Sequence, residues 1–402
     1  MKKLLLFLGL VASPVHAAEP FALKDGDRVV LLGNTLIERE QRYGWWEFAL
    51  TRRFPDRNIT FRNLGWSGDT VWGEARAGFG TQADGFKHLK EHVLALKPTV
   101  LIIGYGGNEA FDGPAGLAKF EKGLNDLLDA LAPARARVVL LSPTPMENLG
   151  PPLQDPSTQN KNIALYRDVI RGVATRRDCF FIDFFEPLIK FYEDKSKPKE
   201  WVRTENGIHL REIAYYDTAT GLDVCMNGIN PTWNWTIGIA ADGEVLTPRG
   251  GVKVDNIEAR GRKFRVTPAV IASRIPQPTD KSSAEGTLLA FRGLAPGKYT
   301  LYIDGKATIT NSVPEWAKGQ LNVDVPSYEQ AEKLRQAIIE KNRLYFHRWR
   351  PQNETYLFGF RKKEQGQNAI EIPQFDPLIA ALEAEIAKLR VPTPHIYELK
   401  PE

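Results

Sequence analysis

Between Arg28 and Glu109 the chain three times runs an apolar segment straight into a short polar turn. RVVLLG leads into Asn34-Thr35, the run from Ile59 to Trp66 into Ser67-Gly68-Asp69-Thr70, and Thr99 to Gly104 into Tyr105-Gly106-Gly107-Asn108-Glu109. These runs are short and lack a helical period, which reads as strands buried on both faces, the kind that parallel sheets contain. Helical stretches separate them. Tyr43 to Phe54 carries Trp45, Trp46, Phe48, Ala49 and Leu50 at helical spacing and ends at Pro55, and Phe86, Leu89, Val93 and Leu96 mark a second helix face before Pro98. A helix from about Leu117 to Leu131, a strand Arg137 to Ser142, a helix within Asn160 to Ala174 and a strand Cys179 to Phe184 continue the alternation. Such alternation predicts an α/β fold, a doubly wound, flavodoxin-like parallel sheet of about five strands flanked by helices.

The pattern changes after Leu222. From Trp235 to Val325 short β-like runs alternate with Gly and Pro turns, which predicts an antiparallel β-sandwich insert over residues 236–325. Helical character returns at Tyr328 to Leu344 and Pro377 to Leu389, so residues 326–402 are expected to be a helical segment packing back on an α/β domain of residues 19–235.

Residues 1–18, MKKLLLFLGLVASPVHAA, have the two lysines, short apolar run and small residues of a signal peptide, so an exported, periplasmic or extracellular protein is expected. That run is far short of the roughly 20 residues that span a bilayer, and no membrane span is expected in the mature chain. Hydrophobic residues at 43%, charged residues at 25% and a net charge of +4 argue against a nucleic-acid partner. Cys179 and Cys225 are the only cysteines, and whether they pair is open at this level. No cofactor is expected. His88-Leu89-Lys90-Glu91-His92 has the inverted zinc-protease spacing, but it sits on a helix between strands with no downstream acidic ligand, and no metal is expected.

In open α/β sheets ligands bind beyond the carboxyl ends of the strands, where the three polar turns fall. The bland alternative is that Gly33-Asn34 is an ordinary turn pair and Thr35 caps a helix. A fourth polar element, Glu205-Asn206-Gly207-Ile208-His209, follows late in the α/β part. The four segments in this order resemble the SGNH or GDSL hydrolases over roughly residues 27 to 222, with NLGWSGDT the best-matching block. The resemblance implies an ester hydrolase in which Thr35 stands at the nucleophile and His209 at the base. It also implies an oxyanion hole of the Thr35 amide, Gly68 and Asn108.

Two positions depart from that pattern: Asn34-Thr35 replaces Asp-Ser, and Asn206 replaces the aspartate three residues before the histidine. Threonine's extra methyl stiffens χ1 and crowds attack, and asparagine orients an imidazole without stabilising imidazolium. Glu205 is a candidate compensating acid if its segment is helical, since it lies four residues before His209. Asp69 and Glu109 are further site candidates, or else a turn cap and a helix-start acid. Trp45, Trp66 and Trp72 flank the first two blocks and suggest a stacking platform, hence an acylated carbohydrate or other small ester as substrate. The competing expectation is a carbohydrate-binding or scaffold protein on a retired hydrolase fold. Oligomeric state is not legible.

Overall fold

The computed structural model describes residues 21–198, 200–228, 235–240, 242–246, 251–260, 262–271, 287–320, 325–351, 354–364 and 368–402; the expected signal peptide lies outside them. The first part of the chain forms β1 (Arg28–Gly33), α1 (Thr35–Glu40), α2 (Trp45–Arg53), β2 (Thr60–Gly65), α3 (Gln82–Ala95), β3 (Val100–Gly104), α4 (Leu117–Leu131), β4 (Arg137–Leu141), α5 (Ser157–Arg176), β5 (Phe180–Ile182), α6 (Phe185–Glu193) and α7 (Glu212–Asn227). The five strands make one parallel sheet in the order β2-β1-β3-β4-β5, the doubly wound order expected from the alternation.

Strand β1 explains the unbroken apolar run. Successive side chains of a strand point to opposite faces, so Val29 and Leu31 enter a core shared with α2 and α7 while Val30 and Leu32 enter a second core shared with α3, α4 and α5. Both faces are covered, and no position of the run is left for a polar residue. At the carboxyl end α1 folds tightly over the sheet: a Cβ on Gly65 of β2 would lie 2.1 Å from the Glu38 amide nitrogen, so only glycine fits.

The later part of the chain forms β6 (Trp235–Ala240), β7 (Val252–Glu258), β8 (Lys263–Pro268), β9 (Thr287–Arg292), β10 (Lys298–Ile303), β11 (Lys306–Ser312), α8 (Val313–Lys318), α9 (Pro326–Trp349), α10 (Glu354–Leu357), α11 (Phe375–Leu389) and β12 (His395–Pro401). The β unit differs from the expected insert in two ways. Its antiparallel sheet has the order β11-β10-β12-β8-β7, so the chain's last strand sits at its centre, and β6 pairs with β9 in parallel. Tyr397 and Leu399 of β12 are buried with Phe264, Leu301 and Trp316, so the unit does not close at residue 325 and the segment after it is not wholly helical.

Helix α9 is anchored to the α/β part by a buried ion pair. Lys341 Nζ lies 2.7 and 2.8 Å from the Glu47 carboxylate oxygens and donates to the Phe61 carbonyl oxygen at 3.1 Å. Around it Ala331, Leu334 and Ile338 pack into the core that holds Trp46 and Phe48. Cys179 and Cys225 are free thiols. Among the described residues no helix is long and apolar enough to cross a membrane.

Candidate active site

The carboxyl ends of β1, β3 and β4 and the loop before α7 enclose a cavity of about 230 Å³, with Thr35, Asn108, Ser142 and His209 in its wall. Thr35 is the first residue of α1. Asn34 caps that helix, its Oδ1 accepting the Leu36 amide at 3.2 Å, so the turn both starts the helix and presents Thr35. Gly68, at φ +78°, turns its amide toward Thr35 and donates to Oγ1 at 3.3 Å. L side chains rarely adopt that φ, which is why this turn needs a glycine. Asn108 donates from Nδ2 to the Asp69 carbonyl oxygen at 2.8 Å, which ties the second polar turn to the third.

The last block is a closed loop rather than a helix. The Glu205 amide donates to the His209 carbonyl oxygen at 2.8 Å, and Thr204 pairs with Leu210 as an isolated bridge. Glu147 pins the loop, accepting the Thr204 amide at 2.8 Å and its hydroxyl at 2.7 Å. Asn206 Oδ1 accepts the amides of His209 at 2.9 Å and Ile208 at 3.2 Å, and its Nδ2 faces His209 Nδ1 at 3.4 Å. Burial pushes the His209 imidazolium's pKa below its usual value, with Arg39 and Arg42 adding to the effect and Glu205 opposing it. Glu205 does not reach the ring as a helical partner would; its carboxylate pairs with Arg39 Nη2 at 2.7 Å.

Asp69 and Glu109 are buried scaffolding. Asp69 Oδ2 accepts from Arg76 Nε at 2.7 Å and from the Tyr105 hydroxyl at 2.9 Å. Glu109 accepts the Val71 amide at 2.9 Å and the Gly106 amide at 2.8 Å, and burial pushes its pKa up to about 7. These carboxylates join the second and third turns from behind and do not line the cavity, so the expectation that they are direct site residues is corrected to a supporting role.

The stacking platform is also corrected. Trp45 is 2% exposed, enclosed between α2 and its neighbours, with Nε1 donating to Glu212 at 3.3 Å. Trp66 is covered by the Arg350 guanidinium 3.6 Å from its ring, and Trp72 lies against Gly123 with the Lys119 ammonium 4.4 Å from its ring; none of the three lines the cavity. The wall instead holds Arg39, Tyr105, Phe111 and the turn Ser142-Pro143-Thr144-Pro145-Met146, which the sequence reading passed over. The i, i+4 spacing of Arg39 from Thr35 was the one available signal for it. The histidines of the zinc-like spacing point elsewhere: His88 Nδ1 faces the Arg76 carbonyl oxygen at 3.0 Å, and His92 packs edge-on against Trp349.

Residues 31–215 match the model of the GDSL-like lipase/acylhydrolase family. They form a GDSL-like acylhydrolase domain. The fold recurs over nearly the whole chain in a gut microbial diltiazem-metabolizing enzyme, at 17% identity and a TM-score of 0.72, covering 95% of this chain and 99% of that one. An acetylxylan esterase from Geobacillus stearothermophilus, in a catalytic-mutant crystal structure, aligns at 17% identity and a TM-score of 0.41 over 51% of this chain and 96% of its own. A second acetyl xylan esterase aligns at 18% identity and a TM-score of 0.38 over 48% of this chain and 97% of its own. No curated protein matches in sequence. The acylhydrolase domain is thus an ester-bond hydrolase fold carrying threonine and asparagine where its family pattern has serine and aspartate.

Proposed function

We propose that the chain hydrolyses an acyl ester at the cavity shared by Thr35 and His209, removing a short acyl group from a hydroxylated carrier such as a carbohydrate after export. The observation that carries this reading is the convergence of Thr35, Asn108 and His209 on one cavity at the sheet's carboxyl edge. At about 230 Å³ the cavity falls below the roughly 300–1,000 Å³ of drug-sized ligand sites, which suits an acetyl-sized group better than a long acyl chain. The tryptophans no longer support a sugar partner, but Phe111, 66% exposed and in the cavity wall, supplies one aromatic face at the mouth.

In this reaction Thr35 Oγ1 attacks the ester carbonyl carbon and its proton passes to His209 Nε2. The carbonyl oxygen takes the negative charge and is met by the amides of Thr35 and Gly68 and by Asn108 Nδ2. The proton then moves to the departing alcohol oxygen, and water releases the acyl-threonine by the same route. His209 Nε2 must be unprotonated to begin, and Asn206 opposes that by presenting an amide N–H to Nδ1. Turnover is therefore slow. In serine proteases an asparagine at this place lowers kcat by about 10⁴-fold.

The same observation favours a second reading, a binding protein that retains the cavity without turnover, since no hydrogen bond joins Thr35 to His209 among the described residues. Hydrolysis of 4-nitrophenyl acetate and of an acetylated oligosaccharide by wild type, Thr35→Ala and His209→Ala separates the two. Activity lost in both variants supports hydrolysis at this site. Activity that survives His209→Ala places the chemistry elsewhere, and an inactive wild type that still binds the oligosaccharide supports the binding protein.

A further inference from the structure

Arg39 follows Thr35 by one helical turn on α1 and stands in the wall of the same cavity. It is 8% exposed, so its charge is largely withdrawn from water. Its Nη2 lies 2.7 Å from the carboxylate of Glu205, whose side chain is 46% exposed and outside the cavity wall. Nε is enclosed without a hydrogen-bond partner. The wall contains no carboxylate, so Arg39 meets no acid inside the cavity. A buried cation paired to a solvent-washed acid and holding an unsatisfied donor is in a costly state that an anionic ligand relieves.

We propose that the cavity selects esters carrying a carboxylate, on either the acyl or the alcohol side, and that Arg39 receives that carboxylate. The proposal rests on the hydrolase reading for the word ester and on the cavity wall for the anion. A planar guanidinium presents donors in a fork that matches a carboxylate, and one guanidinium in a small cavity balances one negative charge. Glu205 competes with the ligand for the same cation. An incoming carboxylate displaces it toward solvent, where its exposure makes the loss cheap.

The test is equilibrium binding by calorimetry, read within minutes, before the slow turnover proposed above consumes the ester. Monomethyl succinate carries the acid on the acyl side and acetoxyacetate carries it on the alcohol side; dimethyl succinate and methyl acetoxyacetate are their neutral counterparts. Wild type should bind one of the acids about tenfold or more tighter than its neutral counterpart, as expected for hydrogen bonds to a charged group. The preferred acid identifies the side. Arg39→Gln should abolish the preference and Arg39→Lys should retain part of it. Glu205→Gln, at an exposed side chain, should strengthen binding of the acid, and it keeps the proposal testable if Arg39→Gln does not fold. Equal binding of acid and neutral ester by wild type, a preference that survives Arg39→Gln, or no gain in Glu205→Gln would each overturn the proposal. Hydrolysis of neutral esters alongside equal binding would sink this inference and leave the hydrolase reading standing.

Discussion

Asn206 turns its amide nitrogen, not its oxygen, toward His209 Nδ1, at 3.4 Å. The orientation is set by the backbone: Oδ1 accepts the amides of Ile208 and His209, and a flipped side chain would set its own N–H groups against both donors. That contact favours the neutral tautomer with its proton on Nε2. Nitrogen-15 NMR of His209, well above a pKa that burial and Arg39 hold below the ordinary histidine value, should report Nε2–H as the main tautomer. A ring found mainly as Nδ1–H would show that Asn206 sits the other way round.

Glu40 makes a pH prediction whose sign is fixed by burial. Its Oε1 accepts the Trp46 amide at 2.8 Å, Oε2 has no hydrogen-bond partner, and desolvation pushes the pKa up to about 8. An unfolded glutamic acid ionises near 4.5, so between there and about pH 8 the folded state binds more protons. Stability is fullest below the unfolded value and falls as pH rises through about 8. Glu40→Gln keeps the acceptor and removes the ionisation. Chemical denaturation of the variant across that window should give a flatter stability profile than wild type. Some slope should remain, because Glu109, pushed up to about 7, acts in the same direction.

Lys341 offers a test of how far α9 belongs to the fold. It is 1% exposed against the 4% exposed Glu47, and Asn342 donates to the same carboxylate at 3.2 Å. Lys341→Met leaves Glu47 buried without its cation, and the unfolding free energy should drop by about 3–5 kcal/mol. Adding Glu47→Leu should recover much of that loss, since the unpaired charge goes with it. A Lys341→Met midpoint equal to wild type in urea would mean that α9 is loosely held.

The fold was legible in the sequence where a local pattern had a single physical cause. Val29 to Leu32 is apolar at every position because alternate residues serve two cores, and that is visible in one line of text. The polar turns at strand ends were legible for the same reason. Trp45 was misjudged because α2 is covered by both α7 and α9, and α9 begins more than 250 residues later. Strand β12 escaped because its partners lie far back in the chain, and an HIYELKP run after a helix carries no sign of them. Arg39 sat at a legible spacing, but a charge on a short helix reads as solvated until the cavity behind it is seen. The direction of the Asn206 amide is a property of the closed loop and exists only in three dimensions.

In the proposed reaction Thr35 and His209 form a hydrolytic site held back by Asn206. Asn206→Asp is its most direct probe, because one oxygen can still accept the Ile208 and His209 amides while the other accepts Nδ1–H and frees Nε2 as a base. The measurement is kcat for 4-nitrophenyl acetate, wild type against Asn206→Asp, with Thr35→Ser/Asn206→Asp alongside because such units act non-additively. In the single variant kcat should rise by about 10²-fold or more, short of the roughly 10⁴-fold seen for this contact in serine proteases, and in the double variant it should rise further. An unchanged or lower kcat in both, with folding and binding intact, would contradict it.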